Sequence, residues 1–175
     1  MITDSSIIPG LKTIQPKIFY DFRGEFVCTY SADAYNFVDE HNQPISFVED
    51  DISVSRKDVL RGLHGDANTW KLVQCLHGEV YLVVADMRTD SPVRLRWQAF
   101  TLNDRNRTQV LVPAGCATGL LCVSETCIFS YKQSQTYKGT ANQFTVRWDE
   151  PKLAVFWPAT RPILTSRDAI AQLLQ

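Results

Sequence analysis

The 175-residue chain carries 18 Lys and Arg against 19 Asp and Glu, with 45% apolar, 11% aromatic and only 21% charged residues. That balance excludes a disordered chain, which combines low hydrophobicity with high net charge, and the length suits one compact domain spanning residues 1–175. A net charge of −1, with no run of Lys and Arg longer than two, also excludes binding to nucleic-acid phosphates, so any anionic partner must be small and held by a few placed cations.

The start, Met1-Ile2-Thr3-Asp4, has no basic or apolar leader character. No stretch nears the roughly 18 apolar residues of a membrane span, so a cytoplasmic protein without a membrane partner is expected. Glu25–Tyr30 alternates as a strand, whereas Ala34, Phe37 and Val38 stand at helical spacing within 32–41. Val59–Asp66 is the densest polar cluster of the chain, and its glycines leave open which face each side chain takes. Lys71–Cys75 and Glu79–Ala85 read as strands joined into a hairpin by Leu76-His77-Gly78. Arg94–Phe100, Thr108–Val112 and Cys127–Lys132 read as further strands, and Ser166–Leu174 as a short closing helix capped by Thr165 or Ser166. Turn signals every eight to twelve residues or so predict an all-β fold: a cupin-like double-sheet jelly roll with short peripheral helices.

Five cysteines, an odd number without CxxC spacing, predict reduced core residues. Of the three histidines, His41 and His77 sit at a helix end and a turn and read as solvated, which leaves His64. A lone histidine is more often a satisfied core residue than a functional one. With Arg61 and Lys71 expected on adjoining strands in so charge-poor a chain, however, His64 points to a polar pocket. Spacing alone does not make the three converge. A metal site from His64, Asp66 and His77 has weak spacing and too few ligands, so no metal is expected. No GxSxG, phosphate-cradling glycine loop or cysteine with a partner base is present.

Several motifs occur in order along nearly the whole chain: Asp21-Phe22-Arg23-Gly24-Glu25-Phe26, Val59-Leu60-Arg61-Gly62-Leu63-His64, Lys71-Leu72-Val73, Gly78-Glu79-Val80 and Asp86–Pro92. Val112-Pro113-Ala114-Gly115, Tyr131-Lys132, Arg147–Pro151, Trp157-Pro158 and Ile163–Asp168 follow. In these the chain resembles the dTDP-4-dehydrorhamnose 3,5-epimerase family, whose members act on nucleotide-linked 4-keto-6-deoxy sugars. The resemblance implies an isomerase that needs no cofactor. His64 would be the base, Asp168 its carboxylate partner, Tyr131 the acid on the opposite face of the sugar, and Lys71 the cation at the C4 oxygen. Arg23 and Arg61 would meet the diphosphate, with Arg23 reaching across a homodimer. Tyr137 would lie near the nucleotide base. Glu49, Asp51, Ser53, Thr118, Gly119 and Arg167 would complete substrate binding. Singly, Tyr131 also reads as a packed strand-end ring, Asp168 as a first-turn helix residue and Arg61 as a solvated strand cation.

The chain departs from the family at two places. Gly115-Cys116-Ala117-Thr118-Gly119-Leu120 puts Thr118 where a histidine is usual, and Glu49-Asp50-Asp51-Ile52-Ser53 puts carboxylates where two neutral amides are usual. RGLHGD and KLVxCxxGEV are closer to the branch acting on GDP-linked 4-keto-6-deoxyheptoses, and imply capsule, lipopolysaccharide or other surface-polysaccharide biosynthesis. The competing readings are a 3,4-ketoisomerase and a catalytically inactive sugar-nucleotide-binding jelly roll.

Overall fold

The computed structural model describes residues 1–174. In chain order the strands are β1 (Ile2–Asp4), β2 (Lys12–Ile14), β3 (Ile18–Asp21), β4 (Gly24–Val27), β5 (Glu49–Arg56), β6 (Leu60–Gly65), β7 (Lys71–His77), β8 (Glu79–Asp86), β9 (Trp97–Asn103), β10 (Gln109–Val112), β11 (Cys116–Cys122), β12 (Thr126–Gln133) and β13 (Phe144–Thr145). One four-residue helix, α1 (Ser166–Ala169), lies near the end. A six-stranded antiparallel sheet, β1-β2-β10-β7-β12-β5, packs on a five-stranded one, β13-β6-β11-β8-β9, and β3 and β4 form a separate ribbon. This is the double-sheet jelly roll.

Alternation along the strands builds the core. Val73, Cys75, Val110, Val112, Cys127 and Phe129 from the larger sheet meet Val80, Leu82, Val84, Leu102, Leu120 and Cys122 from the smaller. The smaller sheet is covered on its other face as well, where Val83, Ala85, Ala117 and Leu121 pack under Val146, Leu153 and Trp157. Burial on both faces explains why β8 is apolar almost without interruption.

Four sequence expectations are corrected. The Leu76-His77-Gly78 turn does not close a hairpin, because β7 and β8 belong to different sheets and the chain crosses between them there. Gly78 suits that corner: its φ is +74°, and a Cβ would come within 2.1 Å of Thr126 O. Residues 32–41 form turns rather than a helix. Tyr35 and Phe37, two apart, are both buried on the outer face of the larger sheet with Ile14, Leu72 and Leu111, while Asp39 Oδ1 accepts from the His41 and Gln43 N–H groups and turns the chain. β9 begins at Trp97 because Arg94–Arg96 close a turn on Ser91 and Val93. The closing helix stops at Ala169; beyond it the Leu174 N–H is held by Glu150 Oε2 at 2.8 Å.

Four cysteines are buried and free, as expected, but Cys28 is exposed. Burial pushes the Cys75 thiol up to about 11 and those of Cys116 and Cys127 up to about 12, which makes them unreactive packing groups. No helix among the described residues is long and apolar enough to cross a membrane.

Candidate active site

The two sheets enclose a cavity of about 520 Å3 between β5, β7 and β12 on one side and β6, β8 and β11 on the other. Residues 133–143 and the 165–168 turn contribute to its rim.

Arg61 and His64 both line this cavity although three positions separate them on β6. The pairing with β11 explains it: His64 is opposite Thr118 and Arg61 opposite Leu120, so three steps of β6 answer two of β11. The bulge turns Leu63 into the outer apolar cluster and returns His64 to the cavity face. Gly62 is needed at the bulge, since φ is +124° and a Cβ would lie 2.5 Å from Thr118 O. Thr118, in the place of the usual histidine, donates its hydroxyl to the His64 carbonyl at 3.3 Å and ties the two strands together there.

His64 Nε2 stands 2.6 Å from Asp168 Oδ1, with the Asp168 side chain only 1% exposed. Thr165 caps α1, accepting from the Asp168 N–H and donating its hydroxyl to Asp168 Oδ2 at 3.0 Å. Burial alone would push the Asp168 carboxyl up. Its hydrogen bond to His64, the His64 charge, Thr165 and the Gly62 N–H outweigh that and hold it below the ordinary carboxylate value. An ionised Asp168 accepts a hydrogen bond from Nε2–H, which holds the ring proton on that nitrogen and leaves Nδ1 with the lone pair of a base.

The opposite wall carries Lys71 on β7 and Tyr131 on β12. Lys71 therefore faces Arg61 and His64 across the cavity instead of adjoining them in one sheet. Burial lowers its ammonium below the usual lysine value, Arg167 adds to that and Asp66 opposes it. Burial raises the Tyr131 phenol, with Asp51 adding and Arg61 opposing, so the ring keeps its proton at neutral pH.

Along β5, Glu49, Asp51 and Ser53 face inward. Gln133 Nε2 donates to Glu49 Oε1 and Asp51 Oδ2, both at 3.0 Å, and the Tyr137 N–H donates to Glu49 Oε2 at 3.0 Å. Burial, then the neighbouring Glu49, raises the Asp51 carboxyl. Arg61 Nε donates to Ser55 Oγ at 3.0 Å. Arg167 is oriented by Thr145 and Gln143, while its Nη2 and Ser53 Oγ are buried without a protein partner.

Of the residues expected in the site, His64, Lys71, Tyr131, Asp168, Glu49, Asp51, Ser53, Arg61, Thr118, Gly119, Tyr137 and Arg167 line this one cavity. Arg23 does not. It sits at the β3–β4 turn with its side chain 75% exposed, paired with Asp21 at 2.5 Å and next to Phe22, which is 98% exposed. Gln133, Gln143 and Thr165 also line the cavity and were missed. Gln133 had a signal, standing two residues beyond Tyr131 on the same strand face. His41 is exposed and His77 largely so, the latter 3.4 Å from Asp104.

The family description "dTDP-4-dehydrorhamnose 3,5-epimerase" matches residues 5–175. The dTDP-4-dehydrorhamnose 3,5-epimerase of Salmonella typhimurium is 35% identical to the chain over 178 residues, covering 99% of this chain and 96% of its own. The dTDP-4-dehydrorhamnose 3-epimerase of Streptomyces niveus is 34% identical over 95% of this chain and 81% of its own. Among solved structures, the dTDP-6-deoxy-D-glucose-3,5-epimerase of Legionella pneumophila, in complex with dTDP-4-keto-L-rhamnose, superposes with a TM-score of 0.90 at 36% identity. It covers 99% of this chain and 92% of that one. A jelly roll with this cavity, matched in sequence and structure over nearly its whole length, belongs to the dTDP-4-dehydrorhamnose 3,5-epimerase family and is an isomerase.

Proposed function

We propose that the protein inverts C3, C5 or both in a nucleoside-diphosphate-linked 4-keto-6-deoxy sugar, with a dTDP-linked hexose as the first substrate. The observation that carries this reading is His64 on one sheet, backed by Asp168 of α1, facing Tyr131 and Lys71 on the other sheet across the cavity. The C4 ketone acidifies the protons on C3 and C5. His64 Nδ1 removes one, and Asp168 stabilises the resulting imidazolium. The electrons move into the C3–C4 or C4–C5 bond and onto the C4 oxygen, where the Lys71 ammonium offsets the negative charge. Tyr131 delivers a proton to the same carbon from the opposite wall, which inverts the centre; Tyr131 is then reprotonated from solvent and His64 releases its proton to solvent. No cofactor is required by this chemistry.

Arg61 and Arg167 supply guanidinium groups for the diphosphate, and Arg23 would join them only from a second copy of the chain, in a homodimer. The dTDP-based names of the relatives support a thymidine-linked hexose over the guanosine-linked heptose suggested by RGLHGD. The name of the Streptomyces niveus relative supports testing inversion at C3 alone beside inversion at both centres. Free, buried thiols support a reducing, cytoplasmic setting. The test is incubation with a dTDP-linked 4-keto-6-deoxy hexose in deuterated water. Deuterium at C3 or C5 is expected, and its absence with every nucleotide carrier tried overturns the reading.

A further inference from the structure

The β3–β4 ribbon belongs to neither sheet, and both of its strands are largely exposed. Its ties to the body converge on one short segment, the corner that leads from β9 into β10. Before the ribbon, Gln15 donates through Nε2 to the Asn106 carbonyl and accepts at Oε1 from the Thr108 hydroxyl at 2.9 Å. After it, the Thr29 carbonyl accepts from Gln109 Nε2 at 2.7 Å. Between these two ends, Glu25 on β4 accepts from Arg107 at Nε, 2.9 Å away, and at Nη2, while Arg107 Nη1 donates to the Leu76 carbonyl at 3.4 Å. Among the described residues, the Glu25–Arg107 pair is the one side-chain hydrogen bond or ion pair that joins residues 18–27 to the rest of the chain.

The corner is itself braced. Asn103 Oδ1 accepts from the Asn106 N–H at 2.7 Å, and Asn106 Oδ1 from the Thr108 N–H at 3.1 Å. The ribbon's tip is a unit as well, since the Arg23 N–H and guanidinium both donate to Asp21 across the turn. Ties at Gln15 and Thr29 alone would leave the arm free to pivot about its base. Glu25 stands two residues from Arg23, about 7 Å along the strand, so the clamp on it fixes the direction in which Arg23 is held out. Both members of the pair are partly exposed, which makes its use geometric more than energetic. We propose that Arg107 is a positioning residue: through Glu25 it holds the ribbon at the angle that delivers Arg23 to the diphosphate in the cavity of a second copy of the chain. This rests on the reading above, in which Arg23 acts across a homodimer. An arm that pivots has to be ordered when substrate binds, so losing the clamp costs binding and spares the chemical step.

The test is steady-state turnover of a dTDP-linked 4-keto-6-deoxy hexose by wild type, Arg107→Met, Glu25→Ala, Arg23→Ala and the Arg23→Ala/Arg107→Met double variant. Arg23→Ala is expected to raise KM about tenfold or more, as for a lost hydrogen bond between charged groups. Arg107→Met and Glu25→Ala should each raise KM about threefold to tenfold with kcat within about twofold of wild type. Both should melt within about 4 °C of wild type. In the Arg23→Ala background, Arg107→Met should change KM by less than about twofold, because the group it positions is gone. Effects of Arg107→Met and Arg23→Ala that multiply overturn the proposal, as does a KM that either clamp variant leaves unchanged. A fall in kcat without a rise in KM, or failure of both clamp variants to fold, overturns it too. Turnover by the wild type with KM unmoved in Arg23→Ala would refute the ribbon's role alone; no turnover with any nucleotide carrier would refute the epimerase reading with it.

Discussion

His64 meets Asp168 through Nε2, at 2.6 Å, and not through Nδ1. The carboxylate is fixed by Thr165 at the start of α1, so a four-residue helix decides which ring nitrogen faces the cavity. Asp168→Asn keeps the shape but removes the charge that selects this tautomer, and an amide can itself donate to Nε2. Turnover is expected to fall by about 10²–10⁴-fold with a much smaller change in KM.

The same pair sets a pH dependence of stability. Asp168 sits below its ordinary value of 3.8 in the folded chain, so it binds its proton less readily there than in the unfolded chain. Its contribution is therefore fully present above the unfolded value and is lost as pH falls through the lower folded one. Urea unfolding of wild type and Asp168→Asn should differ at neutral pH and converge in the acid range below 3.8.

Lys71 is the third element of the chemistry. Lys71→Met is expected to lower kcat by about 10²–10³-fold, because the charge it offsets develops in the transition state. Its ammonium is held below the usual 10.5, so the wild-type rate should decline on the alkaline side of the pH profile before an ordinary lysine would titrate. A Lys71→Arg variant, charged throughout, should lack that limb.

Gly62 is the backbone condition for the site. With φ at +124° and a Cβ that would meet Thr118 O at 2.5 Å and the Gly119 Cα at 2.6 Å, Gly62→Ala must strain the bulge. A loss of at least about 2 kcal/mol is expected, or a melting temperature roughly 4–8 °C lower. Activity should fall further than stability, because His64 moves with the bulge.

Arg23 is exposed in the single chain, so Arg23→Ala should leave stability within about 0.5 kcal/mol while raising KM. At substrate concentrations well below the raised KM of Arg23→Ala, mixing it with His64→Ala after subunit exchange should restore about a quarter of wild-type activity, since half the dimers are mixed and each holds one intact site. No recovery would place Arg23 outside the site.

What could be read from the sequence follows its physical scale. Short alternating or β-branched apolar runs located β7, β8, β10 and β12 to within two residues at each end, because each buries at least an inward face whatever its partner. Pairing did not follow: a tight Gly78 corner looks the same whether it closes a hairpin or carries the chain to the other sheet. The faces of Arg61 and His64 were open for a related reason, as the bulge exists only in register with Thr118 and Leu120 on a distant strand. The 32–41 segment misled because three residues at helical spacing were outweighed by Tyr35 and Phe37 reaching the same sheet face. The site residues came from motif order, and motif order could not place Arg23.

The most direct test compares deuterium content and configuration at C3 and C5 after wild type, Tyr131→Phe and His64→Ala act on a dTDP-linked 4-keto-6-deoxy hexose in deuterated water. With base and acid on opposite walls, the wild type should invert and label the carbon. Tyr131→Phe should still exchange the proton through His64 but invert at least about 10²-fold more slowly, and His64→Ala should do neither. Inversion at wild-type rates in both variants would contradict the assignment of the site.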